Sequence, residues 1–516
     1  MRKTIVTFLI LLSPFQFIFC QSDGDPDIMS SIRNEGFNNS QVMSIAHYLT
    51  NVSGPRLTNS PGFIQASNWT IQQLNSWGLN NVHLDPWGKF GSGWTLNKCY
   101  VAMNLPYYHP LIAYPFAWSK GTNGVIKSDI VMINALDVDT INKYNYQVKG
   151  KIVIVKTRRR SITSPFSVFA DRYSDSSLKN MGDEDMLTGE DVKHIKSFVH
   201  KMISAAKLLK EKGAVAIMIN LSPTRDGTVE ADMWWSGKKN ANPDLPVVST
   251  TPEDHLTMQR LIESHVPVQV EMDIQTKFND KDQNGYNVIG EIPGTDPSLK
   301  SQVVMLGGHL DSWFSATGAT DNAAGCAVMM EAMRILKKLD IKPKRTIRIA
   351  LWGGEEQGLL GSYGYVRKYF GDPETMKLLP ERNNVSAYYN LDNGSGKIRG
   401  IFLQGNKEVQ SIFQKWIEPF NDLGVTTTTL SSTGATDHIS FDAVGIPAFQ
   451  FIQDPVEYHT RTHHTNMDSY DHLMAEDLKQ AAVIVSAFVY NTATRNEMLP
   501  RKPLPSHYEW IYNLFD

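Results

Sequence analysis

Residues 303–339 read VVMLGGHLDSWFSATGATDNAAGCAVMMEAMRILKKL, and the way this stretch is divided decides the fold. The opening run Val303 to Leu306 is continuous, apolar and of strand length. At the other end, Ala324, Ala327, Val328, Ile335 and Leu339 fall near a 3.6-residue spacing, which predicts a helix with one buried face. Between strand and helix lie His309, Asp311 and Asp321, spread among glycines that permit tight turns and close backbone approach. A turn built from small polar residues is one reading of this loop, and a ligand site is the other.

Three more runs resemble the first. TIRIALW (346–352), SAYYNL (386–391) and AFQFI (448–452) are apolar and rich in β-branched or aromatic residues, and helical patterns separate several of them. Strands without polar alternation are buried on both faces, so the reading is an α/β fold: a mixed, largely parallel sheet with helices on both faces. In such sheets ligands bind beyond the carboxyl ends of the strands. His309 and Asp311 follow the first strand, Glu355 and Glu356 the second, and Asp392 the third; His464 lies in the loop beyond the fourth, and Asp321 stands just before a helix. One Asp after a strand is usually a cap or turn former. Ionisable groups brought to one edge from independent segments point instead to a metal.

Upstream the pattern changes. VIKSDIVMI (125–133) and GKIVIVK (150–156) read as strands, followed by a polar, charged and aperiodic stretch from Arg158 that reads as an exposed loop or lid. A helix ending at Gly213 and a buried strand, Ala214 to Asn220, come next. The expected division is a signal segment 1–20, a first catalytic segment 24–115, an inserted smaller domain 116–270, a second catalytic segment 271–495 and a tail 496–516. The aromatic spacing of YEWIYNLFD in that tail predicts packing onto a core.

At 516 residues, with 41% hydrophobic and 20% charged residues, the chain has room for two or three domains. A net charge of -3 over that length leaves no electrostatic footprint for nucleic acid or a membrane surface. Met1-Arg-Lys, the apolar run Thr4 to Cys20 and the polar QSDGDPD form the three parts of a secretory signal; the run is too short and interrupted for a membrane span, which needs about 20 apolar residues. The expected location is therefore secreted or periplasmic, with no membrane span once the signal is removed. Lipidation of Cys20 is disfavoured by the bulk of Phe19. Of the three cysteines, Cys99 and Cys326 lie outside the signal and read as free thiols, so stability rests on core burial and metal rather than on a disulfide framework.

Imidazole with carboxylate and no paired cysteines suits catalytic zinc, and two imidazoles with at least three carboxylates exceed what one catalytic zinc uses. A two-metal centre, with ions about 3.5–4 Å apart and a bridging carboxylate, fits better. Glu355 and Glu356 leave one strand side by side, so one ligates and the other serves as general base toward the attacking water.

Together GGHLDSW, GATDNAAG, LWGGEEQGLLGS, YYNLDNG and THHTNMDSYD resemble the five metal-site motifs of the co-catalytic zinc exopeptidases, a family that includes aminopeptidases, glutamate carboxypeptidase and the carboxypeptidase Q branch. GGHLDSW and KPKRTIRIALW match that last branch best, while GKIVIV and AAKLLKEKGAVAIMI resemble the protease-associated domain inserted in this subgroup. The resemblance implies two Zn2+ ions. Asp321 is the bridging ligand, His309 and Asp392 complete one ion, and Glu356 and His464 the other. Glu355 is the base, and Asp311 orients His309 by fixing its ring tautomer. His464 rather than His463 is the ligand because Thr465 and Asp468 stand where the family motif has a hydroxyl and an acid. His463 is then a neighbour or a donor to the carbonyl oxyanion. The resemblance further implies a cis peptide at Asp321-Asn322 and a homodimer, and burial by the inserted domain would limit access to chain ends, so that small peptides are the expected substrates.

Some points stay open. The segment FGDPETMKLLPERNN is longer than the carboxypeptidase Q pattern, so side-chain preference does not transfer. Asp437 and His438 before the last strand suit either substrate contact or a hydrogen-bonded structural role. Aminopeptidase, carboxypeptidase and dipeptidase activities are not separated by these residues. A non-enzymatic receptor-like relative would lose ligands, and a glutaminyl cyclase uses one zinc; the full ligand set and base argue against both.

Overall fold

The computed structural model describes residues 25–144, 147–157, 166–221, 226–232 and 244–505. The signal segment 1–20 and YEWIYNLFD lie outside them. Two eight-stranded sheets organise the described residues. In the first, Thr346–Trp352, Val303–His309, Val385–Asn390 and Ala448–Gln453 run parallel side by side. Antiparallel neighbours extend it: Asn284–Ile292 and Asn80–Lys89 on one side, Ile398–Phe402 on the other. The four central strands are the four apolar runs of the sequence, and nearly every residue in them is buried. Both faces are covered. Val304, Leu306, Ile347 and Ile349 pack on the helices Ala324–Lys338 and Ala475–Thr494, through Val328, Ile335, Ile484 and Phe488. Met305, Ala350 and Tyr388 face the opposite way, onto Val366 and Phe441 of two shorter helices. The mixed α/β sandwich expected from the sequence is thus present.

Two glycines of the opening stretch have identifiable jobs. Gly318 turns the chain at φ +59° just before Asp321. At Gly325, a Cβ would meet Leu391 O and Asn322 Oδ1 at 2.2 Å each, so only glycine lets the helix start against the turn that carries Asp392.

The second sheet has a parallel centre, Ile126–Ile133, Ile152–Val155, Ala216–Ile219 and Val247–Thr250, which includes the strands expected upstream. A long antiparallel pair, Gly93–Leu105 with Gln269–Asn279, leads into and out of it, so this sheet also draws on residues ahead of 116. The helix Gly189–Glu211 starts at a capping box, Thr188 with Asp191, and ends just before Gly213 at φ +88°. The polar stretch expected to be a loop or lid is tied down in its described part: Asp171 bridges to Val456 and Glu184 to Thr433, and the Arg172 guanidinium donates to Asp454 at 2.8 Å. Cys99 and Cys326 are both free thiols. Among the described residues no helix is long and apolar enough to cross a membrane.

Candidate metal centre

The first sheet delivers its ionisable residues to one edge. His309 ends its strand, Glu355 and Glu356 follow Trp352, and Asp392 follows Asn390. His309 Nε2 lies 3.0 Å from Asp392 Oδ1 and 3.2 Å from Asp321 Oδ1. On the other side, His464 Nε2 lies 3.0 Å from Glu356 Oε2 and 3.3 Å from Asp321 Oδ2. Asp321 thus turns one oxygen to each imidazole. Glu355 Oε2 is 3.9 Å from His309 Nε2, beside the pair without closing on it. His464 sits at φ +59°, a backbone position uncommon for a side-chain-bearing residue and one that recurs at functional sites.

A model of peptidase family M28 matches residues 287–489, the segment holding all of these groups. Over 454 residues, 88% of this chain and 85% of the relative, the sequence is 24% identical to carboxypeptidase Q of Homo sapiens. Residues 287–489, and with them the whole cluster, are thus similar to peptidase family M28. Among solved structures, a peptidase M28 precursor from Shewanella amazonensis superimposes with a TM-score of 0.66 at 23% identity, covering 93% of this chain and 98% of that one. A zinc aminopeptidase from Bacillus subtilis gives 0.56 at 21% identity, covering 88% and 95%. These two likenesses carry the fold. The family match and the peptidase relatives make the chain a zinc-dependent metallopeptidase, in agreement with the family resemblance of its five motifs.

The surroundings of this site keep its groups in place. The ring of His309 is oriented through Nδ1, 3.0 Å from the carbonyl oxygen of Asp311. The Asp311 carboxylate, expected from the sequence to orient this ring, stands 3.8 Å from the same nitrogen. Its oxygens accept the N–H groups of Glu355 at 3.2 Å and Glu356 at 3.3 Å, and the Thr58 hydroxyl at 3.0 Å, so it fixes the turn that carries both glutamates. The Thr436 hydroxyl donates to Asp392 Oδ2 at 2.6 Å. The Asp321-Asn322 peptide is cis.

Whether these residues fit a metal is tested by charge and by unmet bonding. Asp321 Oδ2 is buried with no hydrogen-bond partner. Burial raises Glu355 well above the usual carboxylate range despite the nearby His309, and burial with the Asp321 charge brings Glu356 up to about 8. Burial alone would lower both imidazoles; Asp392 and Glu355 overturn it at His309, and Glu356 at His464, so both are held well above the ordinary value. Four carboxyl groups and two imidazoles crowded at such distances are a site short of cationic charge. A divalent ion supplies it, so the donor set fits.

His463 is the exposed member of the cluster. It stacks on His464 with ring centroids 3.8 Å apart, and its Nε2 lies 3.9 Å from Asp321 Oδ2. His438 is buried and bonded, with Nε2 3.0 Å from Thr433 O and also against the Gln404 amide. Asp437 is buried, and burial lifts its carboxyl to about 8. Sequence reasoning missed three residues. Arg56, buried in the sheet's lee, donates to the carbonyls of Leu310 (2.7 Å), Leu49 (3.0 Å), Thr317 (2.6 Å) and Gly318 (2.8 Å). Thr436 holds Asp392, and Asp232 holds His464. No motif or periodicity marks any of them.

Proposed function

We propose that this M28 metallopeptidase is an exported di-zinc exopeptidase of small peptides, of the carboxypeptidase Q type. The observation that carries the reading is Asp321, whose two oxygens face two different imidazoles at 3.2 and 3.3 Å. A carboxylate so placed could hold two ions, one on each oxygen. His309, Asp321 and Asp392 would hold one zinc, and Asp321, Glu356 and His464 the other. Zinc in such a pair supplies Lewis acidity, polarising the scissile carbonyl and acidifying water.

The chain's own residues supply the proton traffic. Glu355 stands 3.9 Å from the His309 imidazole with a raised proton affinity, suited to take a proton on Oε2 from the attacking water and return it to the departing amine. Asp311 positions Glu355 through its N–H. His463 faces the site from its open side and is placed to donate to the carbonyl oxygen as that oxygen gathers charge. The described part of the lid stretch bridges to Val456 and Thr433, in the loops that lead to His464 and Thr436, and a wall there would favour chain ends over internal bonds. The division into 24–115, 116–270 and 271–495 and removal of the signal 1–20 belong to the same reading.

A dipeptide series, free, C-amidated and N-acetylated, tests it with zinc-loaded protein. Loss of cleavage on C-amidation is expected, and the N-acetylated member then separates carboxypeptidase, which cuts it, from dipeptidase, which does not. Cleavage that survives C-amidation but not N-acetylation makes the protein an aminopeptidase instead.

A further inference from the structure

The two imidazoles of the centre are supported in different ways. The ring of His309 is oriented by a carbonyl two residues further along its own loop. By contrast, the ring of His464 is oriented by a residue 232 positions away in the sequence: its Nδ1 lies 2.9 Å from Oδ2 of Asp232, a buried carboxylate that falls, in chain order, between the third and fourth parallel strands of the second sheet.

The segment that carries Asp232 is seated on the metal loop by several bonds. Glu230 forms an antiparallel bridge with Thr465. Val229 donates its N–H to Asn466 Oδ1 at 2.7 Å and accepts the N–H of Asn466 at 3.0 Å, while the Asn466 amide donates to Gly227 O at 3.1 Å. The side chains between these bonds are anchored in the same place: Val229 and Ala231 are fully buried in a cluster with Trp313 and Phe314, and the edge of Trp313 meets the His464 ring at a centroid distance of 6.0 Å. Residues 227–232 thus lie along the metal loop and carry a carboxylate aimed at a proposed ligand.

From this geometry we infer that Asp232 is a positioning residue for the His464 half of the centre, an inference that rests on the two-zinc reading. By accepting the hydrogen on Nδ1 it fixes the tautomer that presents a lone pair on Nε2 toward Glu356 and Asp321, and a carboxylate in that position strengthens the imidazole as a ligand. The His309 half has its support within the catalytic fold. The His464 half depends on the inserted sheet being seated.

The test is zinc binding by full-length protein, read by equilibrium dialysis against buffered zinc with metal analysis, for the parent, Asp232→Ala and Asp232→Asn, each also in a His464→Ala background. The parent is expected to bind two zinc ions. Asp232→Ala should weaken one of them by about 10–100-fold and leave the other unchanged. Asp232→Asn, which keeps an acceptor, should recover most of that loss, and in the His464→Ala background Asp232→Ala should have no further effect. The inference is overturned if Asp232→Ala binds both ions like the parent, if Asn is as damaging as Ala, if the effect persists without His464, or if both ions weaken together with a lower melting temperature of the metal-free protein. A parent that binds one ion removes the two-zinc reading itself, and this inference with it.

Discussion

Asp468 receives both hydrogens that Thr320 offers, the main-chain N–H at 2.6 Å and the hydroxyl at 2.8 Å, and its second oxygen takes the N–H of Asp321 at 3.1 Å. The residue proposed to bridge the centre is therefore held by an acid that is not itself among the proposed ligands. Asp468→Ala strands two buried N–H groups, while the Thr320 hydroxyl keeps Thr462 Oγ1 at 2.8 Å, and each stranded group costs about 1–3 kcal/mol. The expected result is a melting temperature lower by several degrees and peptidase activity reduced at least tenfold, with Asp468→Asn milder on both counts. Unchanged activity in Asp468→Ala would show that Asp321 is placed by its own turn.

Arg56 is fully buried, and its donors close on four carbonyls from three stretches of chain. Its role is to tie Leu49 and the loop 310–318 together beneath the site. A methionine there keeps the volume and removes every donor. Arg56→Met should cost on the order of 3 kcal/mol in denaturant unfolding, because carbonyls desolvated around the guanidinium lose their partners. Arg56→Lys should lose nearly as much, since one ammonium cannot replace a planar fork of donors. Equal stability of parent and Arg56→Met rules this out.

What the sequence made legible follows from what repeats in it. The four central strands announce themselves as continuous apolar runs, and since parallel strands end at one edge, the ionisable residues just after them had to meet. His309, Glu355, Glu356, Asp392 and His464 do meet there, around Asp321. The supports were not legible. A carboxylate and a carbonyl of the same Asp311 cannot be told apart by position, and the structure gives the ring to the carbonyl and the glutamate turn to the carboxylate. Asp232 lies in an aperiodic stretch, and its contact with His464 spans two sheets. Asp468 was visible only as a motif marker, without its partners.

The two glutamates after Trp352 should separate on removal. Glu355→Gln keeps the size of the side chain and the proposed ligands, so both zinc ions should remain while turnover falls about 10²–10⁴-fold, the usual range for loss of a general base. Glu356→Gln removes a ligand, so zinc content should drop by one equivalent along with activity. Metal analysis of the two variants beside their dipeptide turnover decides the assignment. A Gln at 355 that costs a zinc ion, or one at 356 that does not, exchanges their roles.

Far from the centre, His255 gives the second sheet a dependence on pH. Its ring is buried between Val155 O, 2.7 Å from Nε2, and the Thr250 hydroxyl, 3.2 Å from Nδ1; burial brings it down to about 4, with the bond to Val155 opposing. The ordinary value is 6.5. Between those two values the unfolded chain binds a proton that the native ring refuses, so stability is present above pH 6.5 and is lost as the pH falls toward 4. The full difference is on the order of 3 kcal/mol. His255→Gln should be less stable than the parent near neutrality yet lose less on acidification, so that the two stability curves converge between pH 6.5 and 4. Urea unfolding of both proteins in chelator, which keeps zinc release out of the comparison, measures this, and curves that stay parallel across that window would mean that the ring accepts its proton in place.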